Sequence, residues 1–333
     1  MIAILGDIHF DSSKDYYIKI CSEFVSWFAS WKYNRPGNEL ILAGDLVASS
    51  LNGGVVIDFL ERFYKASQFD HIHIIEGNHD RKFIEGVPQL AYEFLRNKEN
   101  VSIYRYPEER NIQGLHVLFL PFFTRNEKGK TMREVYSNLY KTHIGPYDLA
   151  VGHFCEIKAG FKGAEDCIDN LEKLNSSRIC LGHIHTRNAD PNIYIGSIYA
   201  RRRDEIDYSR AAWIYDESLG EWKEDPLPVF NTFLYVTYPD PLPKTEALVP
   251  IYTILNCGSE RVARQKYKDI YIRKCTIARS EETLEKKYYL DSEVSIKIDI
   301  EDVFEAFCSS QKPPLPREVE DMCKTLLKKG SEG

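Results

Sequence analysis

The chain has 333 residues, 43% of them hydrophobic and 28% charged, with a formal net charge of −7. These values describe a folded globular chain rather than a disordered one, and no apolar run approaches the roughly 20 residues a bilayer span needs. Net negative charge alone disfavours a nucleic-acid partner, although bound divalent cations and a local basic patch can reverse that balance.

Met1 to Leu5 reads as an apolar strand ending in Gly6-Asp7-Ile8-His9. It carries neither the basic segment nor the cleavage site of an export signal. Tyr16 to Trp31 spaces Ile20, Phe24, Trp27, Phe28 and Trp31 at helical period, with Asp15 expected as N-cap. Glu39 to Ala43 is a second strand, ending in Gly44-Asp45, and Val55 to Ala66 is a second amphipathic helix. His71 to Ile75 reads as a buried strand that breaks at Gly77 into Asn78-His79-Asp80, with a helix expected from about Gln89 to Asn97.

Leu115 to Leu120 is the next strand. Tyr147 to Val151 leads to Gly152-His153, and Arg178 to Leu181 to Gly182-His183-Ile184-His185. Strands at Ile193 to Ile195 and Ala211 to Tyr215 close the region, and the alternation predicts an α/β domain over residues 1–225. Six prolines between Asp225 and Pro250 mark loops and a domain edge.

Beyond them, Ile251 to Asn256, Glu260 to Lys268 and Tyr271 to Ala278 read as strand, basic helix and strand. Val294, Ile296 and Ile298 alternate as a further strand. Ile300, Val303, Phe304 and Phe307 form one apolar stripe; after Pro313-Pro314, Val319, Met322, Cys323 and Leu326 form another.

The eight cysteines include no C-x-x-C pair. That spacing argues against a zinc ribbon or disulfide framework and for a reducing compartment, with most thiols acting as small core hydrophobes.

The chemistry gathers at the strand exits: Asp7 and His9, Asp45, Asn78 and His79, His153, His183 and His185. Each cluster follows a glycine that ends a strand-like run, so all project from one end of a sheet, where open α/β folds place their ligands. Five of the nine histidines fall in these motifs, which sets the clustering apart from chance. The donors are oxygen and imidazole nitrogen without thiolate, suiting Mn²⁺, Fe or Zn²⁺. The set is too large for one tetrahedral site and matches two octahedral-like sites that share a carboxylate. His71, His73, His116 and His143 show no such pattern and are expected as strand or surface residues.

The ordered set G-D-x-H, G-D, G-N-H-D, G-H, G-H-x-H over residues 6–185 resembles the calcineurin-like metallophosphoesterases. The resemblance implies a metallophosphoesterase β-sandwich flanked by helices. It implies Asp7, His9, Asp45 and His185 around a first divalent ion, and Asp45, Asn78, His153 and His183 around a second, with Asp45 bridging. Mn²⁺ is the first choice over Mg²⁺, Fe or Zn²⁺. Two such ions clamp a phosphate and activate water near neutral pH. His79 is cast as the catalytic group that orients the phosphate or protonates the leaving oxygen, and Asp80 as its positioner.

Gly44-Asp45-Leu46-Val47-Ala48-Ser49 lacks the Asp-Arg-Gly continuation of protein phosphatases. Asn192 to Ser197 resembles the Tyr-x-Gly-Ser/Thr stretch of SbcD-like nucleases, and the strand-helix-strand unit after residue 250 resembles their capping domain. The closest likeness is to the phage type of that nuclease subunit.

The resemblance therefore implies a DNA endo- or exonuclease subunit of a recombination and repair complex, partnered by an SbcC-like SMC-family ATPase. The expected location is the cytoplasm, that of the bacterial host if the chain is phage-encoded. A homodimer stays open, and no membrane is involved.

The implied organisation is a nuclease domain at 1–225, an α+β cap at 226–298 and a C-terminal helical pair at 299–333 that grips the ATPase. From Glu260 to Arg279 there are seven basic residues against two acidic. Arg261, Arg264 and Lys268, together with Arg201, Arg202 and Arg203, are the expected DNA contacts; a solvated face is the plain alternative. A small-molecule phosphodiesterase or phosphatase on the same fold is the runner-up, and a non-catalytic scaffold ranks last because every ligand position is filled. Two departures stand out. His9 is followed by Phe10-Asp11 where the family usually has Leu-Gly, and Asp45 by Leu46-Val47-Ala48 where an acidic residue is common.

Overall fold

Side-chain alternation along the strands decides the layers, because successive residues of a strand face opposite ways. In a computed structural model, residues 1–48, 53–84, 87–123, 131–136, 139, 145–156, 167–168, 171–186, 194–206 and 209–276 are described. The chain divides into two compact units, Met1–Thr276 and Ile277–Gly333. The second unit, with the expected strand at 294–298 and both C-terminal stripes, lies outside the described residues.

The elements in order are β1 (Ile2–Leu5), α1 (Asp15–Ser30), β2 (Glu39–Leu42), α2 (Gly54–Ala66), β3 (His71–Ile75), β4 (Arg81–Ile84), β5 (Val87–Leu90) and β6 (Val101–Tyr104). Then come β7 (Glu108–Ile112), β8 (Leu115–Leu120), α3 (Met132–Tyr136), β9 (Leu149–His153), β10 (Cys155–Glu156), β11 (Cys167–Ile168) and β12 (Ile179–Gly182). β13 (Ala211–Asp216), β14 (Glu221–Pro226), β15 (Asn231–Thr237), β16 (Val249–Leu255), α4 (Glu260–Lys266) and β17 (Tyr271–Thr276) complete them.

A six-stranded sheet runs β14-β13-β1-β2-β3-β6, parallel from β1 to β6, with β13 and β14 antiparallel. A four-stranded sheet runs β12-β9-β8-β7, parallel except for β7. Ile2, Ile4, Ile41 and Ile75 of the first sheet share a core with Val117, Phe119, Leu149 and Val151 of the second, so the two sheets form a sandwich. Ala3, Leu5, Leu40, Leu42, Ile72 and Ile74 face the other way, into a core with Phe24 and Phe28 of α1 and Phe59 and Phe63 of α2. Leu118, Leu120, Ala150 and Leu181 pack outward against Met132 and Tyr136 of α3. The order of layers is helix, sheet, sheet, helix.

A third, all-parallel sheet, β15-β16-β17, has two apolar faces. Phe233, Val249 and Ile251 join the core of α1, while Val236, Tyr252 and Ile254 pack with Ala263 of α4 and Tyr267.

Several local expectations are corrected. The stretch around Gln89 is no helix but the hairpin β4–β5, with only a 3₁₀ turn at Glu93–Asn97; its short apolar run fits either a strand pair or a helix, and the pairing decides. Asp15 is the first helical residue rather than the cap, which is Lys14 without a side-chain bond. Of the strand expected at Ile193 to Ile195, Tyr194 makes an isolated bridge to Leu181, and β15 lies inside the proline-rich passage read as loop. Cys21, Cys180, Cys257 and Cys275 are free, the first three buried. Cys155, however, is disulfide-bonded, and β10–β11 pairing sets it opposite Cys167, a proximity that spacing along the chain does not signal.

Candidate metal centre

The carboxyl ends of β1, β2, β3, β9 and β12 converge, and the backbone is bent to make them do so. Asp7, His9, Asp45 and His183 all have positive φ (47°, 50°, 49° and 80°), a region that side-chain-bearing residues seldom enter and that concentrates at functional sites. Tyr199 Oη donates to the His9 carbonyl at 2.6 Å, holding one of these bends. The motif glycines give room for the crowding. A Cβ at Gly44, itself at φ 84°, would overlap the His153 ring, and one at Gly77 would overlap Asp45.

Asp45 sits at the centre, almost wholly buried. Its Oδ1 accepts the His79 backbone N–H at 2.8 Å, which leaves Oδ2 at 3.6 Å from His9 Nε2 and 3.4 Å from His153 Nε2. Asp7 accepts the His183 backbone N–H at 3.0 and 3.1 Å to its two oxygens. His9 Nε2 and His185 Nε2 face each other at 2.9 Å. Asn78 Oδ1 lies 3.0 Å from both His153 Nε2 and His183 Nδ1. The structure thus brings all seven expected ligands together.

The far nitrogens of His153, His185 and His9 have partners too. His153 Nδ1 bonds the Ala43 carbonyl at 2.8 Å, His185 Nδ1 the Glu205 carboxylate at 3.1 Å, and His9 Nδ1 meets Arg201 Nη1 at 3.1 Å.

Burial and mutual charge set the protonation. Burial acts to raise the Asp45 carboxyl, but His153, His9 and His79 outweigh it and hold it below the ordinary carboxylate range. Burial likewise acts to depress His153, yet Asp45 and Asp7 carry it up to about 10. Burial raises Asp7 and depresses His9.

Buried carboxylates ringed by imidazoles need compensating positive charge. Among the described residues, the ligand atoms of Asp7, His9 and His185 lie within 4.8 Å of one another, as do those of Asp7, Asp45 and His153. With oxygen and imidazole donors and no thiolate, the residues fit two divalent ions. Asp7 is common to both groups, and Asp45 Oδ2 also reaches toward both.

His79 is exposed, its ring 5.3 Å from that of His9 in edge-to-face orientation, beside the ligands and outside both groups. Asp80 does not position that imidazole. It is fully buried and accepts from Gly77 N–H (2.8 Å), Val47 N–H (3.1 Å) and Tyr92 Oη (3.0 Å), so it ties the β3 exit loop to the β2 exit. Burial, then Asp45, pushes its carboxyl up to about 7.

Arg201 is brought to the site, its guanidinium reaching Asp11 Oδ2 at 3.2 Å as well as His9. The departure at Phe10-Asp11 is thereby absorbed: Asp11 pairs with Arg201, and Phe10 fills the core against Phe24, Phe59 and Phe63. Arg202 turns to Glu205, Nε to Oε1 at 3.0 Å, and Arg203 stacks on Tyr235 at 3.8 Å. Arg261, Arg264 and Lys268 are exposed on and after α4, Arg264 Nε bonding Glu260 at 2.8 Å; no hydrogen bond described for them reaches the ligand cluster.

Glu205 was missed in the sequence. It ends a run of charged residues that reads as solvated, yet it is fully buried. Burial acts to raise its carboxyl, but bonds from His185, Arg201 and Arg202 bring it down to about 2. His73, expected without partners, bonds Tyr104 Oη and Glu39, each at 2.8 Å. His143 lies outside the described residues.

The family profile described as calcineurin-like phosphoesterase matches residues 1–187. No curated protein sequence matches the chain. Similar solved structures include a protein of unknown function from Aquifex aeolicus, at 18% identity over 53% of this chain and 89% of that one, with a TM-score of 0.30. Another is the phosphopantetheinyl hydrolase of Mycobacterium tuberculosis, at 14% identity over 55% and 82%, with a TM-score of 0.31.

Proposed function

The chain belongs to the calcineurin-like phosphoesterase family, and from that premise we propose that it is a DNA phosphodiesterase, the nuclease subunit of an SbcCD-type complex. Metal-dependent phosphoester hydrolysis follows from the family and the ligand cluster together. When bound, two divalent ions in such a set polarise the phosphoryl group and activate water.

The chain's own residues do the rest. Asp45, with Oδ2 between His9 and His153, spans both halves of the site. Asn78 and the imidazoles fix the remaining ligand directions. His79, exposed at the rim, protonates the leaving oxygen as a general acid.

The observation that favours a polynucleotide is the arginine segment. Arg201 reaches the His9 ring, and Arg203 carries positive charge from there onto Tyr235 of the third sheet. That sheet and α4 make the proposed cap, with Arg261, Arg264 and Lys268 as phosphate contacts. The ATPase partner and the role of residues 299–333 rest on sequence resemblance alone.

Hydrolysis of DNA and of bis-p-nitrophenyl phosphate, assayed with Mn²⁺, tests the reading. Wild type should cleave both. Reversing Arg261, Arg264 and Lys268 to Glu should weaken DNA binding and flatten its salt dependence while sparing the small substrate. Cleavage of the small phosphodiester alone, by wild type, would favour the small-molecule phosphodiesterase instead.

A further inference from the structure

Glu205 is a fully buried carboxylate in a turn where the sequence offers only charge. Every bond it accepts is anchored to the metal centre or to the segment beside it. Oε1 accepts from His185 Nδ1 at 3.1 Å and Arg202 Nε at 3.0 Å; Oε2 accepts the Arg201 backbone N–H at 2.8 Å. Its own carbonyl accepts from Arg210 Nη2 at 2.5 Å, while Arg210 Nη1 grips Ser197 at 2.9 Å. The carboxylate is thus fixed in place before it meets His185.

The consequence for His185 is a choice of tautomer. With its proton on Nδ1 and given to Glu205, the imidazole presents the Nε2 lone pair toward His9 Nε2, 2.9 Å away, where Asp7 also converges. Glu205 also holds the Arg201 backbone, and the Arg201 guanidinium lies against His9 Nδ1. The other half of the site is built differently. His153 Nδ1 is fixed by a backbone carbonyl, that of Ala43.

We infer that Glu205 is a positioning residue for the first ion alone, acting through His185, so that the affinity of one metal position can be changed without the other. The inference rests on the dinuclear reading of the site.

Titration of metal-free protein with Mn²⁺, followed by calorimetry and by electron paramagnetic resonance, tests it. Glu205→Ala should weaken one of the two binding events about 10–100-fold and leave the second at its wild-type value. Glu205→Gln, whose amide oxygen still accepts from His185 Nδ1, should recover most of that loss. In a His185→Ala background, Glu205→Ala should add little. Equal weakening of both events, no rescue by Gln, or a fully additive loss would each overturn the inference.

If Glu205→Ala does not fold, the intact protein decides. Nitrogen-15 spectra of labelled histidine should show His185, identified by the signal lost in His185→Gln, as the Nδ1–H tautomer; the Nε2–H form would overturn the proposal. Wild type that binds no Mn²⁺ would instead sink the dinuclear reading.

Discussion

His79 is the exposed member of a cluster otherwise buried or half-buried, and its two halves do different jobs. Its backbone N–H steadies Asp45 Oδ1 at 2.8 Å, and any residue but proline can supply that bond; its imidazole lies edge-to-face on the His9 ring and belongs to neither ligand group. His79→Ala should therefore keep both metals and lose roughly 10²–10⁴-fold in turnover, the usual weight of a general acid, with metal content by mass spectrometry and kcat as readouts. Loss of a metal along with activity would make His79 a ligand. At this scale the residues that converge at the strand exits were legible because each follows a glycine at the end of an apolar run, a pattern that ordinary turns do not repeat five times in order. Glu205 was not, since an acidic residue among arginines reads as solvated until the fold buries it, nor was the role of Asp11, whose partner Arg201 lies 190 residues away along the chain. Asp80 was misread in its role: the sequence places it beside His79, while both its oxygens turn inward to Val47, Gly77 and Tyr92.

The exit loop of β3 shows how an element holds such a residue. Glu76, wholly buried, pairs with Arg81 across the loop, and Asp80 ties its interior to the β2 exit. The loop cannot move away from Asp45, so a methyl at Gly77 must displace either the carboxylate or the backbone. Gly77→Ala should cost about 1–3 kcal/mol of stability, as overpacking does, and lower metal content in the folded protein. Unchanged denaturant midpoint and metal content would show that the loop is looser than its bonds imply. Elements whose sequence alternates or repeats at helical period were readable: β1, α1, β2, α2, β3 and β8 fall where the apolar residues put them. β7 was not, because Glu108-Glu109-Arg110-Asn111 is a polar sheet edge without an apolar signature. β15 was hidden by the prolines around it, and β4–β5 by a stretch whose apolar residues fit a helix as well as a hairpin.

Across Met1–Thr276 the sandwich exists to bring two parallel strand sets to one edge. Ile2 and Ile4 packed on Val117 and Phe119 set the sheets face to face, and the strand exits meet because Gly6 pairs with Ser197 and His183 with Asp7. The α/β class and the sandwich were foreseeable from alternation and from the motif order. The placement of the third sheet was not, since Phe233 and Ile251 share a core with α1, and only the fold reveals which helix covers them. All of this architecture serves one claim, that two divalent ions share Asp45. Metal content per chain in wild type and in Asp45→Asn, measured by mass spectrometry on protein purified with Mn²⁺, tests it most directly. The shared-carboxylate site predicts two ions in wild type and fewer than one in the variant, a larger loss than at any other single ligand; an Asp45→Asn protein that still holds two ions would contradict it.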